Sequence, residues 1–176
     1  LMIISKYDVK KYDFKTIISG MLVCDCESLN KIHDKLKKSY ELFNVDTDQS
    51  SVYHRMFYEK MQNQNKFLKT YTNFVEKVIR PQYQESILYQ KTPTFRISLP
   101  NNLAVGEFHK DSDYSHSKQE INYFVPITKS FGTNTIWIET EIGSNKFNAC
   151  NLNYGEILKF DGANLLHGNK INKTEK

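Results

Sequence analysis

Gly155-Glu156-Ile157-Leu158-Lys159-Phe160-Asp161-Gly162, followed closely by Leu165-Leu166-His167-Gly168-Asn169, is the stretch on which the fold turns. Glu156 to Phe160 has strand length. It lies between two turn signals, Asn153-Tyr154-Gly155 before it and Asp161-Gly162 after it. The same grammar runs back to Pro93. Thr94-Phe95-Arg96-Ile97-Ser98-Leu99 alternates with period two, and Pro100-Asn101-Asn102 turns the chain. Leu103 to Phe108, Glu120 to Ile127, Asn134 to Thr140 and Lys146 to Cys150 read as further strands, with turns at Phe131-Gly132 and Gly143-Ser144-Asn145. Many short, closely spaced strands predict a small jelly roll or barrel over residues 93–176.

Before Pro93 the period changes. Leu29, Ile32, His33, Leu36, Tyr40 and Phe43 recur at helical steps, with Asp25 or Ser28 as a start signal. A second helical stretch begins near Ser50 and Ser51 and carries Val52, Met56, Phe57, Phe67, Leu68, Tyr71, Phe74, Val75, Val78 and Ile79. Pro81 is expected to end it, because proline has no amide hydrogen to donate. Gln82 to Tyr89 is expected to add a short helical turn, and the first two dozen residues fit strand or loop. The whole reads as one α+β domain, with residues 1–92 forming a mainly helical layer that buttresses a β-core.

Length and charge narrow the function. The chain has 176 residues, enough to bury a core without metal or disulfide staples. Its formal charge is +4. The lysines are scattered, and the densest group (Lys35, Lys37 and Lys38) sits among apolar helix positions, which favours a solvated face over a nucleic-acid surface. No apolar run approaches the roughly 20 residues of a membrane helix. Leu1-Met2-Ile3-Ile4 is too short for a signal peptide. Three cysteines, Cys24, Cys26 and Cys150, lack a zinc-site spacing and suit small buried side chains in a reducing, cytoplasmic setting.

One constellation carries chemistry. His109-Lys110-Asp111 places an imidazole and a carboxylate on one side of an extended segment. His167 returns several strands later. Two imidazoles and one carboxylate on one face of a metal, with the remaining positions open, form the facial triad of non-haem Fe(II) oxygenases. Asp113 shares the face of Asp111 and competes with it as the carboxylate. Asp111 is preferred for its tighter bite. His33, His54 and His116 lack this context. Asn122 is a buried amide if it faces the barrel, where a cosubstrate, a metal-bound water or a neighbouring strand would satisfy it. Glu139 is read either as a mouth residue orienting a polar substrate or as simply exposed. Arg96 interrupts an apolar strand, and its planar fork suits either an anionic ligand or a structural salt bridge.

His109-Lys110-Asp111, the segments Ile121-Asn122-Tyr123-Phe124-Val125-Pro126 and Asn134-Thr135-Ile136-Trp137-Ile138-Glu139, the Gly155-x-x-Leu158-x-Phe160-Asp161-Gly162 run and Leu166-His167-Gly168-Asn169 together resemble the Fe(II)/2-oxoglutarate-dependent oxygenases. The resemblance is to the phytanoyl-CoA-hydroxylase-like branch and, within it, to small bacterial members of a streptomycin-biosynthesis type. It covers residues 93–176 and implies a double-stranded β-helix, with His109, Asp111 and His167 holding Fe(II). It also implies 2-oxoglutarate as cosubstrate, with Asn169 helping to hold it. The branch places an arginine for the distal carboxylate of 2-oxoglutarate shortly beyond the second histidine. The sequence given ends at Lys176 without it: the favoured expectation is that the last strand is missing, the alternatives being that Lys170 or Lys173 substitutes poorly or that cosubstrate binding is lost, and Arg96 is a separate candidate for that carboxylate. The implied activity is O₂-dependent hydroxylation of a small polar molecule, sugar- and antibiotic-related metabolites included. Asp111 argues for oxygen insertion over halogenation, since a small residue there would leave room for halide. Two other readings stand beside it: a cupin-like metal-dependent isomerase or epimerase, and a non-catalytic barrel that binds a ligand.

Overall fold

A computed structural model describes residues 2–25, 27–35, 51–63, 65–105 and 107–176. The strands form two three-stranded antiparallel sheets. In the first, β5 (Glu156–Phe160) lies between β1 (Met2–Lys6) and β2 (Asn122–Phe124), with Ile4 opposite Leu158 and Asn122 opposite Phe160. In the second, β3 (Ile136–Glu139) lies between β4 (Phe147–Ala149) and β6 (His167–Asn169), with Ile138 opposite His167. Single bridges join His109 to His167 and Ser130 to Leu152.

Strand alternation in β5 divides the interior in two. Ile157 points into a large core shared with the helices, while Leu158 and Phe160 point into a smaller core with Ile138, Cys150, Leu152 and Leu165. β2 repeats the division: Tyr123 packs against the helical core and Phe124 against the smaller one. A one-residue slip in either strand would exchange the two sets.

Three helices cover the first sheet. Asp13 caps α1 (Phe14–Met21) by accepting the Thr16 amide at 3.1 Å, and Phe14, Ile17, Ile18 and Met21 form its buried stripe. In α2 (Val52–Asn63), Tyr53, Phe57 and Met61 recur every fourth residue on the buried side. A π-helical turn, Val75–Ile79, follows α3 (Asn65–Phe74), and a 3₁₀ turn, Arg80–Gln82, contains Pro81. The core between these helices is aromatic. Phe57 stacks on Phe95 at 4.3 Å, and Phe74 meets Phe14 edge-on at 5.2 Å.

Several expectations need correction. Among the described residues the sheets do not close into a barrel, and the structure is α+β with antiparallel sheets. Thr94–Leu99 and the described residues of 103–108 join no ladder, and His109 contributes a single bridge. Phe95, Ile97 and Leu99 still pack into the helical core, so the alternation reported burial and not pairing. The strand expected over Glu120 to Ile127 shrinks to Asn122–Phe124. Gln82 to Tyr89 forms no helix beyond Gln82, and Tyr83 is extended. The first two dozen residues hold both a strand and a helix. Leu29–Lys35 is a kinked 3₁₀ segment where an α-helix was expected. Leu36, Tyr40, Phe43, Lys37, Lys38 and Cys26 lie outside the described residues. Among the described residues no helix is long and apolar enough to cross a membrane.

Candidate metal centre

His109 and His167 meet because their backbones pair. Each donates its amide to the other's carbonyl, at 3.0 and 2.9 Å, and the two rings lie 4.7 Å apart. Gly168 permits this approach: a Cβ there would lie 3.1 Å from the Phe108 Cα. Asp111 opens a 3₁₀ turn, Asp111–Tyr114, that docks on the turn after β5. The Asp111 amide donates to the Gly162 carbonyl at 3.0 Å, and the Ser112 hydroxyl to the Ala163 carbonyl at 2.6 Å. The carboxylate therefore reaches the histidines through a docked turn and not along a continuous strand.

One ligand atom from each of His109, Asp111 and His167 falls within 4.8 Å of the others. Asp111 Oδ1 stands 3.5 Å from both Nε2 atoms. Both Nδ1 atoms face backbone carbonyls, His109 to Glu107 at 2.9 Å and His167 to Leu165 at 3.0 Å. A neutral imidazole that donates from Nδ1 leaves Nε2 with its lone pair, the form a metal takes. Asn122 donates from Nδ2 to Asp111 Oδ2 at 2.7 Å, which leaves Oδ1 turned toward the histidines. The other amide atom of Asn122, Oδ1, is buried without a partner. Gly162 makes room for that amide, since a Cβ there would lie 2.7 Å from the Asn122 Cγ.

The electrostatics suit a cation. Burial works against ionising Asp111, but hydrogen bonds from His109, His167 and Asn122 outweigh it and hold the carboxyl well below its usual range. The Asp111 hydrogen bond foremost raises the pKa of His109; burial and Arg96 oppose it. The same carboxylate thus favours positive charge beside it.

The other residues singled out in the sequence are distributed around this cluster. Arg96 is exposed, and its positive charge weighs slightly against protonation of His109. Asn169, opposite Ile136, donates its side-chain amide to the Thr135 carbonyl at 3.2 Å. Asp113 accepts the Lys110 amide at 3.3 Å and closes the turn. Glu139 is neither at a mouth nor exposed. It is fully buried, accepting backbone amides from Asn145 and Leu166. His33 stands beside Asp34, His54 beside Ser51 and His116 beside Glu120, all outside the cluster. Sequence reasoning missed Tyr114. The residue is 64% exposed, and its ring meets the His109 ring edge-on at 5.3 Å, so it borders the cluster. Its position within one turn of Asp111 was the available signal.

Two histidines and an aspartate on a two-sheet scaffold backed by helices define a candidate mononuclear metal centre. Streptomycin biosynthesis protein StrG of Streptomyces griseus is 35% identical over 171 residues, an alignment covering 97% of this chain and 80% of that protein. The chain belongs to the same family as that biosynthesis protein. No family model matches the chain, and no solved structure matches it.

Proposed function

We propose that this protein is an Fe(II)/2-oxoglutarate-dependent oxygenase that oxidises a small polar molecule in a biosynthetic pathway. The observation that carries the reading is the His109–Asp111–His167 cluster with both Nδ1 atoms engaged by backbone carbonyls. A donor set of two imidazoles and one carboxylate on one side of an ion suits Fe(II) and leaves its other positions open. The partnerless Oδ1 of Asn122 is a buried acceptor beside that ion, suited to a ligand or water with a hydrogen to donate. The biosynthetic name of the StrG relative supports a metabolite substrate.

Each residue has a task in this scheme. His109 and His167 supply Nε2 lone pairs, and the Glu107 and Leu165 carbonyls fix their tautomers. Asp111 supplies the compensating negative charge, and Asn122 orients it. Arg96 would meet the carboxylate of a cosubstrate, its planar fork suiting that group, and Tyr114, beside the His109 ring, would offer an aromatic surface to substrate. Asn169, anchored by its bond to the Thr135 carbonyl, would help to hold the cosubstrate. Fe(II), when bound with 2-oxoglutarate, supplies the activation of O₂.

The test is metal content after reconstitution, followed by 2-oxoglutarate-dependent O₂ uptake and succinate release. Stoichiometric Fe(II) and succinate formation support the proposal. Metal without succinate would move the protein to a cupin-like isomerase or epimerase, and no metal at all to a ligand-binding module.

A further inference from the structure

We propose that Glu139 is a positioning residue for the metal centre, tying the β3–β4 hairpin tip to the backbone just ahead of His167. The inference rests on reading His109, Asp111 and His167 as metal ligands.

Glu139 is the last residue of β3, and its side chain has no solvent exposure. A buried carboxylate is costly unless its oxygens are met. Here backbone amides meet them. Oε1 accepts the Asn145 amide at 2.8 Å and Oε2 the Leu166 amide at 3.3 Å. The Asn145 amide is the foremost influence holding this carboxyl below its usual range, with burial opposing. Leu166, Gly143 and the charge of Lys110 add smaller shares.

The second anchor gives the arrangement its consequence. Leu166 is bound to Glu139 through both of its polar backbone groups, because its carbonyl also accepts the Glu139 amide at 2.8 Å. The following residue is His167, whose Nδ1 is held by the Leu165 carbonyl. The frame that aims this imidazole therefore starts at the Glu139 carboxylate. The first anchor reaches a tip with two residues of positive φ, Gly143 at 78° and Asn145 at 53°. Ser144 Oγ organises that tip by accepting the Glu141 and Lys146 amides. One carboxylate thus serves two segments, Oε1 the hairpin tip and Oε2 the backbone ahead of His167.

The experiment uses the full chain and Co(II), whose visible absorption reports coordination. Three proteins are titrated: wild type, Glu139→Gln and Thr135→Val. Thr135, buried just ahead of β3, donates its hydroxyl to the Cys150 carbonyl at 2.7 Å, and Thr135→Val keeps the backbone carbonyl that Asn169 uses, so it controls for stability lost without a link to Leu166. Glu139→Gln should weaken Co(II) binding by roughly 10-fold or more, the scale for outer partners of metal ligands, and alter the absorption envelope. Thr135→Val should leave both unchanged. Wild-type affinity in Glu139→Gln, or an equal loss in Thr135→Val, overturns the role given to Glu139. Absence of Co(II) binding by the wild type overturns the metal reading itself, and this inference with it. Should Glu139→Gln fail to fold, amide exchange of the wild type with and without Zn(II) decides. Slower exchange at Asn145 on binding supports the link, and unchanged exchange there overturns it.

Discussion

The two cores on either side of β5 are built on different principles. The helical core is held by aromatic area: Phe14, Phe57, Phe67, Phe74 and Tyr12 are nearly or fully buried, and their rings meet at 5.2–6.2 Å. The smaller core holds Ile138, Cys150, Leu152, Leu158, Phe160 and Leu165, and polar groups crowd its margin. His167 lies 5.3 Å from the Phe160 ring, Asp111 and Asn122 are bonded to each other, and Glu139 is enclosed among backbone amides. Dispersion and burial are non-directional and tolerate adjustment. Directional hydrogen bonds between buried polar groups do not. The helical side therefore supplies stability, and the sheet-to-sheet side uses it to hold groups that would otherwise repel or solvate.

The largest test of that division is Asp111→Ala. It should remove metal binding altogether, beyond the roughly 100-fold that loss of an outer partner reaches. Equilibrium dialysis checks this, with Asp113→Ala as the variant that keeps the metal. Retention by Asp111→Ala and loss by Asp113→Ala would reverse the assignment. Metal addition should also raise the thermal midpoint of the wild type and leave that of Asp111→Ala unmoved.

Phe57→Ala attacks the other side. Truncating this fully buried ring, stacked on Phe95, should cost about 3–5 kcal/mol in denaturant unfolding. Metal affinity of the folded fraction should not change. A parallel loss of affinity would show the two cores to be one cooperative unit.

Asn122→Ala sits on the boundary strand. It removes the hydrogen bond to Asp111 Oδ2 while keeping all three ligands, so Co(II) affinity should fall by about 10–100-fold. An unchanged affinity would leave Asp111 oriented by the docked turn alone.

The smallest effect concerns Cys150, whose thiol burial pushes up to about 11. Its folded-state pKa exceeds that of a free thiol, so its contribution to stability is intact below the ordinary thiol range. That contribution fades as pH climbs from there toward about 11. Half-buried Cys24 should react with a disulfide reagent before Cys150 does in the native protein. Equal rates would mean that the smaller core opens easily.

Local pattern exposed some parts of this molecule and hid others. β5 was legible to the residue because turn residues stand on both sides of it. β1 was not, since all five of its residues are exposed and show no alternation, and its partner is the distant β5. Thr94–Leu99 misled for the opposite reason: its alternation is real, but it answers to packing against Phe57 and its neighbours and not to a ladder. In the candidate site, His109, Asp111 and His167 could be named from spacing because short motifs place them. Glu139 could not. Its partners are backbone amides, which no side-chain pattern announces, and a glutamate in a strand reads by default as exposed.

The pairing of β1 with β5 also carries a cost in time. Met2 lies opposite Phe160 and Lys6 opposite Glu156, so β1 waits for a partner about 150 residues later. At about 5–20 residues per second of synthesis, that wait lasts roughly 8–30 s. Meanwhile Met2, Ile3 and Ile4 have no ladder to join, and they stay exposed even in the finished sheet. Those seconds are when another nascent chain can take the place of β5, so the yield of this protein in a cell should depend on how crowded its ribosomes are.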